Sequence, residues 1–244
     1  MNPGTPTVTT TVRYAPGKVL DVHAPVGADG MPVVLLWHGS GVDERDVLAP
    51  LAREVAAHGM VVVVPDWQSD GVEGAAQLLA SVTFARREAH GLGGDADRIA
   101  LAGWSLGANA AAWVALHPAM VDGWAPVAWA GLAGSYDESP FGDDLFTGVG
   151  TGAGEHGRWP PALLAHGTRD TVVPVAHSKE ASDRLVGLAR SLRLLQLATD
   201  HAGVVGTEYD PWRRRCVPTT DPSREATRAR VATEVAALVA GAPG

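Results

Sequence analysis

Short apolar runs alternate with longer stretches of helical spacing along this chain. Thr9 to Tyr14 and Val19 to His23 alternate apolar and polar side chains, which predicts two antiparallel edge strands. Val33 to Trp37 and Met60 to Val64 are uninterrupted, as in strands buried on both faces, and Pro65 stops the second. Between them Val47, Leu51 and Val55 recur at helical spacing. Ala75, Leu78, Leu79, Val82, Ala85 and Ala89 mark a second amphipathic helix. Asp95-Ala96-Asp97-Arg98 reads as a turn into a strand at 99–102, and 107–117 as an almost wholly apolar helix. Strands follow around 126–129, 163–165 and 192–197, the last of the set, with a helix at 175–189. Asp221 and Pro222 read as an N-cap and first helical residue, opening a closing helix that buries Val231, Val235, Leu238 and Val239.

Strands alternating with helices predict an α/β fold: a mainly parallel central sheet of about eight strands with helices on both faces. The stretch 134–160, rich in glycine and acidic residues, breaks the rhythm and reads as a lid or pocket wall within a single domain spanning 1–244. The apolar fraction of 46% and charged fraction of 19% are those of an ordinary globular protein. A net charge of −8 argues against nucleic acid as a partner. Cys216 is the single cysteine, so no intrachain disulfide forms, which fits a reducing, cytoplasmic setting. Residues 1–11 lack the pattern of a signal peptide, and no apolar run reaches membrane-spanning length.

Gly103-Trp104-Ser105-Leu106-Gly107 lies where the 99–102 strand gives way to the apolar helix. A serine between glycines on such a turn is a nucleophile elbow: the glycines fit the tight turn, and the hydroxyl projects at the positive end of the following helix. A lone serine is a poor nucleophile, so the motif predicts a base, an acid and an oxyanion site. His201, directly after the 192–197 strand, is the expected base. His177, early in a predicted helix, reads as a rim residue. The orienting acid should lie between serine and histidine in chain order, and Asp170, on the loop after the 163–165 strand, meets that condition. Asp200 ranks lower because neighbours at a strand end point apart, and Asp137, Asp143 and Asp144 lie in the irregular stretch. The oxyanion site needs two backbone N–H groups: Leu106 after the nucleophile, and Ser40 within His38-Gly39-Ser40-Gly41, with Gly39 or Gly41 as alternatives. His38 and Asp66 read as structural groups.

Other features carry less. Gly152-Ala153-Gly154-Glu155-His156-Gly157 matches a dinucleotide fingerprint in form, but neither follows a convincing strand nor opens a helix. No metal-ligand motif is present, so neither metal nor cofactor is expected. Of eight tryptophans, Trp113 and Trp124 read as packing residues, while Trp37, Trp67, Trp104, Trp129, Trp159 and Trp212 lie near strand ends or loops.

These segments together resemble the α/β-hydrolase fold family over residues 10–240, and within it small bacterial carboxylesterases of the acetyl-esterase and dienelactone-hydrolase-like kind. The oxyanion segment reads His-Gly-Ser-Gly rather than His-Gly-Gly-Gly, the nucleophile is serine rather than cysteine, and Trp104 stands where histidine is frequent. The resemblance implies a serine hydrolase for small esters that needs no cofactor, with Gly39, Gly41 and Trp104 against the substrate. An amidase, formamidase, peptidase or lactonase would use the same residues, and a non-catalytic binding module is the rival from another class. Acyl and alcohol preference depend on the shape of 134–160 and of the loop around Tyr209 to Thr220, and oligomeric state is not legible.

Overall fold

The computed structural model describes residues 5–69, 71–142, 145–147, 149 and 159–242. Its main sheet has eight strands: β1 (Thr7–Ala15), β2 (Lys18–Pro25), β3 (Met31–Trp37), β4 (Val61–Pro65), β5 (Gly94–Trp104), β6 (Trp129–Leu132), β7 (Ala162–Gly167) and β8 (Leu192–Leu197). Their order across the sheet is β1-β2-β4-β3-β5-β6-β7-β8. β1 pairs antiparallel with β2, and β2 antiparallel with β4; every later pair is parallel. The crossovers carry α1 (Arg45–Ala57), α2 (Gly71–Glu88), α3 (Leu106–Leu116), α4 (Ala176–Leu185) and α5 (Pro222–Ala240).

Side-chain alternation along the buried strands splits the core into two layers. Val33, Leu35 and Trp37 of β3 join Ile99 and Leu101 of β5 beneath α2, α3 and α4. Val34 and Leu36 join Ala100, Ala102 and Trp104 beneath α1 and α5, whose Val47, Leu51, Val55, Val231 and Val235 close that side. A strand with apolar residues at every position is thus covered twice, as its composition requires.

Four details differ from the sequence reading. Residues 95–98 lie inside β5, as an irregular excursion between the Met31–Gly94 and Val33–Ile99 pairs. β6 sits at 129–132, not around 126–129. Its small residues hide a central strand, and a Cβ on Gly131 would stand 2.2 Å from the Tyr136 hydroxyl. α4 stops at Leu185, where Val186 turns extended and Gly187 takes φ 82°. β8 ends the main sheet but not the strands: β9 (Thr207–Asp210) and β10 (Arg215–Pro218) form a separate antiparallel hairpin. Asp143, Asp144 and the 152–157 glycine motif lie outside the described residues. The start of the 134–160 stretch is tied to α3, where Asn109 donates to Ser135 Oγ and Glu138 O and accepts from Tyr136 N.

Candidate active site

The turn between β5 and α3 leaves room only for glycine at its flanks. A Cβ on Gly103 would lie 2.0 Å from the Gly107 carbonyl oxygen, and one on Gly107 2.4 Å from those of Trp37 and His38. Between them Ser105 takes φ 56° and ψ −124°, a strained conformation for a residue with a side chain. Its own N–H is fixed on Leu132 O at 2.8 Å, and it caps the N-terminus of α3.

The loop after β3 comes up against this serine. A Cβ on Gly39 would stand 3.0 Å from Ser105 Cβ and 3.5 Å from its Oγ, so glycine lets the backbone approach. Gly41 is committed elsewhere, its N–H donating to Ser69 Oγ at 3.1 Å. Among the described residues, neither the Ser40 nor the Leu106 N–H has an acceptor. Arg45 braces the loop's far end by pairing with Asp43 and with Asp21 of β2, both at 2.9 Å. His38 stacks on Trp67 with ring centroids 5.4 Å apart, and Nδ1 meets Gly39 O at 3.0 Å. Its Nε2 is buried with no partner among the described residues, and burial pulls its pKa down to about 4. Asp66 pairs with Lys18 at 2.9 Å.

His201 follows β8 and opens a 3-10 turn at 202–205. Its Nδ1 lies 2.7 Å from Asp170 Oδ2, with the carboxylate fully buried and the ring nearly so. Asp170 Oδ1 accepts from the N–H groups of Val172 (2.9 Å) and Val173 (2.8 Å). Burial pushes this carboxyl up, but the N–H groups of His166, His201 and Val173 outweigh it and hold it well below the usual carboxylate range. Asp200 turns away, into a two-pronged ion pair with Arg224 of α5. Asp137 lies 3.8 Å from His177, apart from these groups. The Trp104 indole donates to His201 O at 3.2 Å, and its ring lies 5.2 Å from the imidazole.

Ser105 and His201 face one cavity of about 400 Å³, together with Gly39, Ser40 and Trp104. The β9–β10 hairpin adds Tyr209, Arg214, Arg215 and Cys216, and the head of α1 adds Glu44. Burial raises the Glu44 carboxyl, and burial pushes the Cys216 thiol up to about 11. No described residue of 134–160 lines this cavity. Among the described residues no three or more His, Cys, Asp or Glu side chains gather as a metal site, and no helix is long and apolar enough to cross a membrane.

No family model matches the chain, and no curated protein sequence does. Solved structures do. Esterase 2 of Thermogutta terrifontis with propionate bound superposes with a TM-score of 0.72 at 16% identity, over 99% of this chain and 97% of that one. A thermostable esterase from Pseudomonas putida ECU1011 gives 0.69 at 18% identity, over 97% and 84%. The Thermogutta enzyme phosphorylated by paraoxon gives 0.72 at 16%, over 100% and 97%. The chain has the α/β-hydrolase fold.

In this hydrolase fold, Ser105, His201, Asp170, Gly39, Ser40 and Trp104 gather at the C-terminal ends of the parallel strands, where α/β sheets place their ligands, and Gly41 and Asp137 do not join them. Glu44, His166 and the pairing of the 209–220 loop region as a hairpin were not legible. Glu44 and the hairpin reach the cavity through long-range packing, and His166 reads as an ordinary strand residue until its partners are known.

Proposed function

We propose that this protein is a serine carboxylesterase acting on small carboxylic esters, with Ser105 as nucleophile, His201 as base and Asp170 as orienting acid. The observation that carries the reading is the buried 2.7 Å contact of His201 Nδ1 with Asp170 Oδ2, beside a serine held at φ 56° on the same cavity. With Nδ1–H given to the carboxylate, Nε2 is left as the free base. Ser105 Oγ attacks the ester carbonyl as Nε2 takes its proton. The unpartnered N–H groups of Leu106 and Ser40 receive the oxyanion, and the imidazolium protonates the leaving alcohol. Water then releases the acid from the acyl-enzyme. Gly39 and Trp104 lie against the substrate. The Thermogutta enzyme carries propionate or butyrate in its structures, and a cavity of about 400 Å³ supports acyl groups of that size here. The lone, buried thiol of Cys216 supports a reducing compartment such as the cytoplasm.

Hydrolysis of p-nitrophenyl acetate, butyrate and octanoate tests this. Wild type should turn over the short esters best, and Ser105→Ala should lower kcat by about 10⁶-fold. Undiminished hydrolysis by the variant would refute the assignment.

A further inference from the structure

His166 is a second histidine at the Asp170 carboxylate, and the mechanism above does not use it. It stands near the end of β7, its side chain fully buried. Its Nε2 lies 2.8 Å from the carbonyl oxygen of Val173 and 3.3 Å from Asp170 Oδ2. Its Nδ1 lies 2.6 Å from the hydroxyl of Ser178, which is buried in the first turn of α4. A carbonyl oxygen only accepts, so Nε2 carries a hydrogen. Nδ1 then accepts from the Ser178 hydroxyl, and that bond fixes the tautomer.

The Nε2 end of the ring acts on Asp170 in two ways, while Nδ1 anchors the ring on Ser178. Val173, whose carbonyl His166 holds, gives its own N–H to Asp170 Oδ1 at 2.8 Å. Fixing Val173 therefore fixes the loop that clamps one carboxylate oxygen. The positive edge of the ring faces the other, Oδ2, which is the oxygen that receives His201 Nδ1–H. We propose that His166, locked by Ser178, is a positioning residue for the Asp170–His201 pair: it sets where Oδ2 sits and limits how strongly that oxygen holds the His201 imidazolium.

This rests on the assignment of Ser105, His201 and Asp170 above. Among the described residues, the other charged or titratable groups about the pair are Asp200, taken by Arg224 of α5, Glu44 at the head of α1, Tyr209, Arg214, Arg215 and Cys216 of the β9–β10 hairpin, and Tyr136, whose hydroxyl meets Ser178.

The test is kcat and KM for p-nitrophenyl acetate from pH 5 to 9 in wild type, His166→Leu, His166→Gln and Ser178→Ala. His166→Leu should lower kcat roughly tenfold with little change in KM, because the base loses its alignment. The acid limb of kcat/KM should rise by about half a pH unit, since Oδ2 without the second N–H stabilises the imidazolium more. His166→Gln keeps an N–H donor of similar reach and should restore most of both. Ser178→Ala frees the tautomer and should shift both in the same direction, by less. An acid limb unmoved or displaced to lower pH in His166→Leu overturns the proposal, even if the variant is less heat-stable. Should that variant fail to fold, the same two readouts in Ser178→Ala decide. Ser105→Ala and His201→Ala, run alongside, separate the failures: activity retained in either refutes the triad, whereas loss in both with an unmoved limb refutes only the role of His166.

Discussion

At the scale of single residues, the site depends on conformations that few side chains accept. Ser105 at φ 56° stores strain on the order of 1–3 kcal/mol, which the surrounding packing holds in place. Asp170 has all its hydrogen-bonding capacity directed: two backbone N–H groups on Oδ1 and His201 on Oδ2, with the His166 ring edge beside it. Asp170→Asn should therefore keep the fold, since Oδ1 can still accept from the backbone. It should lower kcat about 10⁴-fold, because an amide on His201 Nδ1 favours the wrong tautomer. Steady-state kinetics beside a melting curve measures this, and a near-normal kcat would move the acid elsewhere.

At the scale of elements, what was legible in the sequence was local. The elbow was readable because its glycines, strand and helix are contiguous. Asp221 was readable as a cap because its partners are the next residues, Ser223 N at 2.7 Å and Arg224 N at 3.4 Å. His201 and Asp170 were readable because each directly follows a strand, and the chain order constrained the choice. β6 was mislocated because glycine and alanine give a weak strand signal. They are needed where Gly131 meets Tyr136, a contact set by the turn that follows. The pairing of β9 with β10 was invisible because their turn holds Trp212, which is 94% exposed, and two arginines, with no apolar alternation to mark the strands. That hairpin supplies one wall of the cavity: the sequence marks 209–220 as a loop that shapes substrate choice, but not as paired strands.

At the scale of the whole molecule, buried histidines outside the proposed triad set a pH limit on stability. Burial lowers His23 and His38 from their ordinary 6.5 to about 4, and Nε2 of each is buried with no partner among the described residues. Between those values the unfolded chain binds protons that the native state excludes. Each histidine's contribution is therefore fully present above pH 6.5 and is lost as pH falls toward 4, on the order of 3 kcal/mol apiece. Asp170, depressed rather than raised, adds a loss in the same direction below the usual carboxylate range. Urea unfolding at pH 7.5, 5.5 and 4.5 should show stability falling across this window, with a shallower fall in His23→Leu. An equal slope in that variant would show that His23 does not contribute to the acid loss of stability.

Phosphorylation by paraoxon followed by peptide mass spectrometry tests whether the serine at the mouth of the sheet is the reactive one. A single diethylphosphoryl adduct is expected on the peptide that carries Ser105, absent in Ser105→Ala and formed far more slowly in His201→Ala. An adduct on another residue, or none on the folded protein, would contradict it.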